Sequence, residues 1–530
     1  MRKPGSGTSG IAQRRDLLIL WAVKSKGIVY LVGAGPGDPG LLTLRGAELL
    51  KRAEVVVFDV LVNPALLRLA PPTAELISRK IPGSAKPLSQ DELNALIVTH
   101  AQAGKCVVRL KGGDPYVFGR GGEEAEILAA AKIPFEVIPG VSSITAVPNY
   151  AGIPLTHRSH CSSFTVFTGH GEATDADTNL RYDQIAQIPG TKVVLMGTDT
   201  IEDWTKSVMA HGLPEQTPVA IIQHGTTGRQ KSVTGTLATI AKLAADKHIA
   251  PPALTIIGDV VKLRGKLNWY ENLPLFGQRI VVTRRPEQAG SFAARLAELG
   301  AGVLEVPTIK IEPTTRREEL VDMLLEINSY DWLVFTSANG VTAFFDLFFK
   351  RFQDMRDIGG ARIAAVGPAT AAKLKELHLQ VDLQPEEFTG RKVAEAFAKY
   401  ETIENRKICL LRAEAANPDL FMGLQEMGAI VDDIAVYKTV PELEDRTGIT
   451  AQLLESGADW VTFTSSSTVE HFHARFNLPA LLKQFPGLKT ASIGPETTKT
   501  LQALGIKPTL EAKLHTTDGL IASLVKAAKT

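Results

Sequence analysis

The sequence predicts an α/β protein built in two parts, and three observations predict it. Short β-rich apolar runs alternate with helical stretches, the alternation breaks near 266–277, and the chain beyond the break repeats itself at an offset of about 128 residues. In the first part 28–32, 55–58, 107–110 and 135–138 read as strands and 44–52 and 122–131 as helices. Strands at 193–196, 219–223 and 254–257 continue the pattern. The break gathers Asn268, Asn272, Pro274 and Gly277, residue types that favour turns and end regular elements. In the second part 280–311 pairs with 408–439, 331–345 with 459–473, and 364–379 with 491–506. A two-copy repeat of this length predicts two similar α/β lobes with a ligand cleft between them; duplication as mere fold history explains it equally well.

The bulk properties are those of an ordinary globular protein. With 530 residues the chain exceeds what one core usually supports, and 44% hydrophobic with 22% charged residues excludes disordered and collagen-like classes. A net charge of +1 gives no general field for nucleic acid, so any anion site must be local. Cys106, Cys161 and Cys409 are scattered and form no metal or disulfide pattern, which fits a reducing cytoplasm. The apolar run 17–23 is too short for a membrane span and no cleavage site follows it, so 1–26 reads as an extension.

Glycine-bearing connections follow several of the strands. Gly33-Ala-Gly-Pro-Gly-Asp38 precedes a helix capped by Thr43, and its small residues let backbone N–H groups approach a ligand. Asp38 stands where a dinucleotide fingerprint needs glycine and Pro36 stiffens the turn, which disfavours NAD. Taken alone, such a turn serves structure as readily as ligand. The stretch 111–124 (KGGDPYVFGRGGEE) is far denser: Gly112 and Gly113 can take conformations closed to other residues, Asp114 can accept from a ribose or an amine, and Glu123 and Glu124 suit a first helical turn. PGVSS at 139–143 and YAGIPLTHR at 150–158 add two more connections of the kind that lines the crevice of open α/β sheets.

Together, GAGPGDPGLLTLRG, VRLKGGDPYVFGRGGEE, PGVSS, AGIPLTHR, the TGH of 168–170 and the LMG of 195–197 resemble the tetrapyrrole methylase family, and within it uroporphyrinogen-III C-methyltransferases, over about 28–270. The resemblance implies a two-lobed methylase with S-adenosylmethionine held at Pro36, Gly112, Gly113, Asp114, Val117, Ser142, Ser143, Met196 and Gly225. It also implies two methyl transfers to pyrrole ring carbons, giving precorrin-2. Asp59 matches the family's proton acceptor and Lys80 its proton donor, although an aspartate at a strand end also caps turns. Two positions depart from the family pattern: Val60 replaces an arginine, and Ser78-Arg-Lys-Ile81 replaces Gly-Lys-Arg.

From Gly277 on, IVVTRRP, FTSANGV, AAVGPATA, AVYKT, FTSSSTV and ASIGPETT resemble the uroporphyrinogen-III synthases, which implies closure of hydroxymethylbilane with inversion of ring D and no metal or organic cofactor. Such a site positions a substrate that ionises its own hydroxymethyl group. For the substrate's carboxylates, Ser337, Asn339, Ser465 and Ser466 at helix starts are candidate donors, with Arg284 and Arg412 at equivalent repeat positions as extra donors or plain surface arginines. Tyr437 matches the family tyrosine suggested to assist loss of the hydroxyl, and also suits a buried structural role.

The expected organisation is therefore an extension over 1–26, the methylase over 27–270, a linker over 271–276 and the synthase over 277–530. The expected partners are small tetrapyrroles, with no nucleic acid and no membrane, and the methylase resemblance allows a homodimer. The product would feed sirohaem or cobalamin synthesis. Two other readings remain: a methylase of a later corrin intermediate, against which the fused synthase argues, and a two-lobed tetrapyrrole sensor that binds without cyclising.

Overall fold

The computed structural model describes residues 27–80, 87–169, 181–386 and 390–529. The expected extension over 1–26, and also Ile81 and His170, lie outside them. Among the described residues twenty strands form four five-stranded sheets.

The first sheet holds β1 (Ile28–Gly33), β2 (Val55–Phe58), β3 (Glu75–Ser78), β4 (Cys106–Lys111) and β5 (Phe135–Ile138) in the order β3-β2-β4-β1-β5, every pair parallel. Tyr30, Val32, Val56, Val108 and Leu110 face Leu49, Leu50 and Leu66, whereas Val29, Leu31, Val55, Val57 and Val107 face Leu93, Ile97 and Leu128. Burial on both faces is why these strands read as unbroken apolar runs. Thr43 caps the helix Leu44–Leu50 as expected, accepting from the Gly46 amide at 3.1 Å.

The second sheet is mixed. It holds β6 (Phe164–Thr168), β7 (Thr191–Leu195), β8 (Pro218–Gln223), β9 (Lys231–Thr236) and β10 (Ala253–Ile257) in the order β6-β7-β10-β8-β9, with β10 antiparallel to both neighbours. The helix Ser143–Tyr150 joins the two sheets, packing Ile144 and Val147 against Val193, Ala220, Ile222 and Ile256. The strand expected at 193–196 ends one residue early, because Met196 turns to a φ of 52°.

Ten strands follow: β11 (Arg279–Val282), β12 (Gly302–Glu305), β13 (Ile309–Pro313), β14 (Trp332–Phe335), β15 (Arg362–Ala365), β16 (Lys407–Ala413), β17 (Ile430–Pro441), β18 (Trp460–Phe463), β19 (Lys489–Ser492) and β20 (Leu510–Glu511). They form two sheets, ordered β12-β11-β18-β19-β20 and β13-β17-β16-β14-β15. The two repeats do not map one to a lobe. β11 pairs with β18 of the second copy, and β14 of the first copy pairs with β16 of the second. Equivalent segments carry equivalent pairing edges, so the copies exchange partners without losing a hydrogen-bonded ladder. By contacts the chain forms two compact units: one runs to Val306 and resumes at Glu444, the other is Pro307–Leu443. Leu275, inside the expected linker, is 1% exposed and packs with Phe292 and Leu296 on the third sheet.

This exchange makes a prediction that a simple tandem does not. A chain ended after residue 443 leaves β11 and β12 as a two-stranded ribbon, which is marginal alone. Hydrogen exchange at β11 should then approach unfolded rates while β1 and β4 stay protected; retained protection at β11 would contradict the pairing.

Candidate functional site

All five strands of the first sheet point the same way, so their connections collect at one edge. Three of these meet backbone to backbone. A Cβ on Gly33 would lie 2.5 Å from the Gly140 Cα, and one on Gly140 would lie 2.1 Å from the Gly113 carbonyl oxygen. Gly35 and Gly113 exchange hydrogen bonds, 3.2 Å from the Gly35 amide and 2.8 Å from the Gly113 amide, both residues at positive φ. Asp114 fastens the arrangement: its Oδ2 accepts from the Gly140 amide at 3.0 Å and its Oδ1 from the Tyr116 amide at 2.8 Å. Gly112 and Gly113 differ from Gly33 and Gly140. A Cβ at Gly112 would meet only Leu61 at 3.6 Å, and one at Gly113 nothing nearer than the Ser143 amide at 3.9 Å. These two glycines thus form an open ledge beside the start of the helix Ser143–Tyr150, where Ser142 caps by accepting from the Ile144 amide at 3.3 Å. Val117 follows on the same connection and stays partly exposed, between Asp114 and the positive-φ residues Phe118 and Arg120.

The second sheet brings its own edge to this place. A Cβ on Gly37, next to Pro36, would lie 2.7 Å from Thr227 and 3.3 Å from the Gly225 carbonyl oxygen, and the Asp38 amide donates to Thr226 Oγ1 at 3.1 Å. Asp38 Oδ2 accepts from the Tyr150 hydroxyl at 2.7 Å, and burial with this bond pushes the phenol pKa well up. Gln230 then accepts from the Thr226 amide at 2.9 Å and donates to Glu271 Oε1 at 2.9 Å, while Ser232 donates to the same oxygen at 2.6 Å and Arg264 pairs with the other. Burial raises the Glu271 pKa, but Ser232, Gln230 and Arg264 outweigh it and hold the carboxyl below the ordinary range. Contacts thus bring Gly113 beside Ser142 and Ser143, tie Asp114 to Gly140, and set Gly37 against Gly225; Pro36 and Gly112 are chain neighbours of residues in these contacts. Met196, half-exposed, sits beyond the end of β7 on the same edge of the second sheet as His224, and both hold positive φ. Non-glycine residues in that conformation cluster where a site imposes it.

Beneath the ledge lies a buried ion cluster. Arg109 and Lys111, on β4, are 0% and 2% exposed, and Glu124 at the start of the helix Gly121–Ala130 is 2% exposed. Glu124 Oε1 accepts from Lys111 at 2.8 Å, Gln90 at 3.0 Å and Arg109 at 3.2 Å, and Arg109 reaches past it to Asp59 Oδ1 at 2.6 Å. Burial, with Arg109 alongside, holds the Lys111 pKa down. Glu124 is therefore no ordinary first-turn glutamate; Glu123 fills that role in the open, paired with Arg120. Asp59 is partly exposed at the edge of the sheet, and Arg79 stands 3.9 Å from its Oδ1. Lys80 is exposed, and Val60 is 57% exposed. Of the two basic neighbours it is Arg79 whose side chain approaches the aspartate. The cluster was missed in the sequence although a signal existed: Arg109 and Lys111 are charges alternating with apolar residues inside a buried strand.

The synthase candidates divide between the two units. In the first, Arg284 follows β11, makes no hydrogen bond or ion pair among the described residues, and has its pKa lowered by burial and by neighbouring Arg285. Ser465 caps the helix Ser466–Phe476 and Ser466 donates to the Glu496 carbonyl at 3.3 Å. In the second, Ser337 caps the helix Ala338–Arg351, and its hydroxyl lies 3.0 Å from that of Tyr437, which is 6% exposed. Asn339 is partly buried one residue into that helix. Arg412 is 7% exposed and clamped, with Nε and a terminal nitrogen on Asp433 at 2.6 and 2.5 Å and the other terminal nitrogen on the Asn417 carbonyl at 2.6 Å. The two equivalent arginines thus differ: Arg284 keeps its donors and Arg412 spends most of them within its own lobe.

Comparison with known proteins gives two family matches: Tetrapyrrole (Corrin/Porphyrin) Methylases over 28–241 and Uroporphyrinogen-III synthase HemD over 290–522. A "Porphyrin biosynthesis protein HemD" of Ruminiclostridium josui is 36% identical over 502 residues, 94% of this chain and 98% of that one. An "S-adenosyl-L-methionine-dependent uroporphyrinogen III methyltransferase" of Methanosarcina barkeri is 49% identical over 237 residues, 45% of this chain and 93% of its own. Among solved structures, a uroporphyrin-III C-methyl transferase from Thermus thermophilus complexed with S-adenyl homocysteine is 40% identical, with 45% of this chain and all of that chain covered and a TM-score of 0.38.

Two outcomes follow for stability. Glu124→Ala leaves two buried cations short of a partner and should lower the unfolding free energy by about 3–5 kcal/mol in denaturant titration. Because the Glu271 pKa is lowered on folding, its contribution is complete above the unfolded value and is lost as pH falls through the folded one. Glu271→Gln should therefore flatten the acid limb of a stability-against-pH curve between those two values, and an unchanged slope there would contradict the assignment.

Proposed function

The chain belongs to the tetrapyrrole methylase and uroporphyrinogen-III synthase families, and from that premise we propose that one polypeptide cyclises hydroxymethylbilane to uroporphyrinogen III, inverting ring D, and methylates the product twice to precorrin-2. The observation that carries the methylase half is the open ledge of Gly112 and Gly113 facing Ser142 and Ser143, beside an aspartate held by a buried arginine.

The ledge fits S-adenosylmethionine. Bare backbone at Gly112 and Gly113 and the helix-start amides of Ser142 and Ser143 offer donors and close approach, and Pro36, Asp114, Val117, Met196 and Gly225 are assigned as the further cofactor contacts. When bound, that group supplies an electrophilic methyl to an electron-rich pyrrole carbon. The protein's share is alignment and proton management. Asp59 takes the proton that the methylated pyrrole must shed, and Arg109, bonded to its Oδ1, fixes the carboxylate for that purpose. Lys80 is assigned as donor, with Arg79 steadying Asp59.

In the synthase half the reading rests on positioning. In the first unit Arg284, desolvated and without a hydrogen bond or ion pair among the described residues, and the helix start at Ser465 and Ser466 bind substrate carboxylates; in the second the helix start at Ser337 and Asn339 does so, and Tyr437, hydrogen-bonded to Ser337, assists departure of the hydroxyl. Arg412 acts through Asp433 as a support for its strand end. The product serves sirohaem or cobalamin synthesis, in the cytoplasm, and a homodimer through the methylase half is compatible with this.

Purified chain given hydroxymethylbilane and S-adenosylmethionine without oxygen should yield a type III macrocycle with two added methyls by mass and isomer analysis. Unmethylated type III would remove the methylase claim, and type I alone the synthase claim. Asp59→Asn should slow methylation by roughly 10²–10⁴-fold while cyclisation continues; unchanged turnover at saturation would remove Asp59 as the base.

A further inference from the structure

The first unit contains the methylase sheets and the third sheet together, and they meet along one strand. β12 is the edge strand of the third sheet, and both of its ends touch methylase elements that carry cofactor connections. At its start, a Cβ on Gly228 would lie 2.2 Å from the Gly302 amide nitrogen and 2.7 Å from the Gly302 Cα, a contact of backbone on backbone. Gly228 lies in the 224–230 connection, between Gly225 and Gln230. At its other end, Glu305 forms an ion pair with Arg68, which also donates to the Glu305 carbonyl at 2.5 Å; each side chain is 17% exposed. Arg68 belongs to the 3₁₀ helix Pro64–Leu69, whose cap Asn63 donates to the Gly37 carbonyl at 2.7 Å. A third tie, from Arg446 to the Ala74 carbonyl at 2.9 Å, braces the same face.

We propose that β12 of the synthase half is a positioning element of the methylase: by holding Gly228 and Arg68 it fixes the 33–43 and 224–230 connections in the spacing that S-adenosylmethionine needs. The two connections meet each other only lightly, through Gly37 on Thr227 and Asp38 on Thr226. Each is then anchored from behind to an opposite end of the same short strand. A strand is stiff along its length, so the distance between the anchors is fixed by four residues of backbone. The partial shielding of the Arg68–Glu305 pair matters to this role, since removing one partner leaves the other charge short of its counter-ion. The arrangement also covers an otherwise bare sheet edge. Arg68 and Glu305 are positioning residues: both act on the ledge only through Asn63 and β12.

This inference rests on the cofactor reading above, and the test separates the two. Full-length chain is titrated calorimetrically with S-adenosylhomocysteine, as wild type, Arg68→Ala, Glu305→Ala and the double variant, with a thermal melt of each. Each single variant should weaken binding about 5- to 20-fold, the lower part of the range of ordinary coupling between sites, and the double variant should be no weaker than the poorer single one. Singles within two-fold of wild type, even with lowered melting points, overturn the proposal, because a merely structural tie moves the melt and not the affinity. Independent effects that multiply in the double variant overturn it too. Should a single variant fail to fold, Glu305→Gln, which keeps the volume and the main-chain acceptor, is read by the same criterion. A wild-type chain that takes up no S-adenosylhomocysteine removes the cofactor reading itself, and this proposal with it.

Discussion

The contact of Gly33, Gly113 and Gly140 sets the geometry of the N-terminal half. Three strand ends in adjacent positions of one parallel sheet are drawn so close that a single Cβ at 33 or 140 would overlap backbone. That closeness turns the connection after β4 into a ledge, puts the cap of the helix Ser143–Tyr150 beside it, and lets Asp114 span from its own turn to the Gly140 amide. Backbone at such distances cannot be had with any other residue. The buried charges below belong to the same connection, since the helix Gly121–Ala130 that follows the ledge after the 114–120 turn carries Glu124 to Arg109 and Lys111. Arg109, tied at one side to Glu124 and at the other to Asp59, then transmits the fixed position of the ledge to the one carboxylate at the rim.

Much of this was legible beforehand, and the parts that were not have physical reasons. The strand and helix alternation, the Thr43 cap and the crowding of glycines after strands follow from local rules and stand in the structure within a residue or two. The direction of Glu124 is not local: a glutamate one residue after another at a helix start can face water or core, and only the buried cations of β4 decide it. Asp38 likewise looked like a mere departure from a nucleotide fingerprint, whereas it links Tyr150, Gly40 and Thr226 across the two sheets. The repeat was visible but its pairing was not. Two copies with interchangeable edges leave sequence indifferent to which copy a strand joins, and the choice rests on how the intervening chain runs. Arg284 and Arg412 show the limit of that equivalence: the positions match, yet Asp433 faces only the second.

Fusion also changes what a boundary means. The turn-rich stretch near 266–277 reads as a domain boundary with a linker over 271–276, but Glu271 secures Gln230, Tyr270 packs edge-on against Tyr150 and Phe276, and Leu275 enters the core of the third sheet. The chain passes from one catalytic half to the next without leaving packed structure. With β12 against the methylase, the halves share an interface built of main-chain contacts and a partly shielded ion pair, more specific than a tether that only raises local concentration.

The central claim is that the ledge at Gly112 and Gly113 is where the methyl donor lies. A crystal structure of the full chain grown with S-adenosylhomocysteine tests it directly. The ligand should be found against Gly112, Gly113 and Asp114, bounded by Ser142, Ser143, Met196 and Gly225, with its sulfur toward Asp59. Density for it at any other place, with the ledge vacant, would contradict the account.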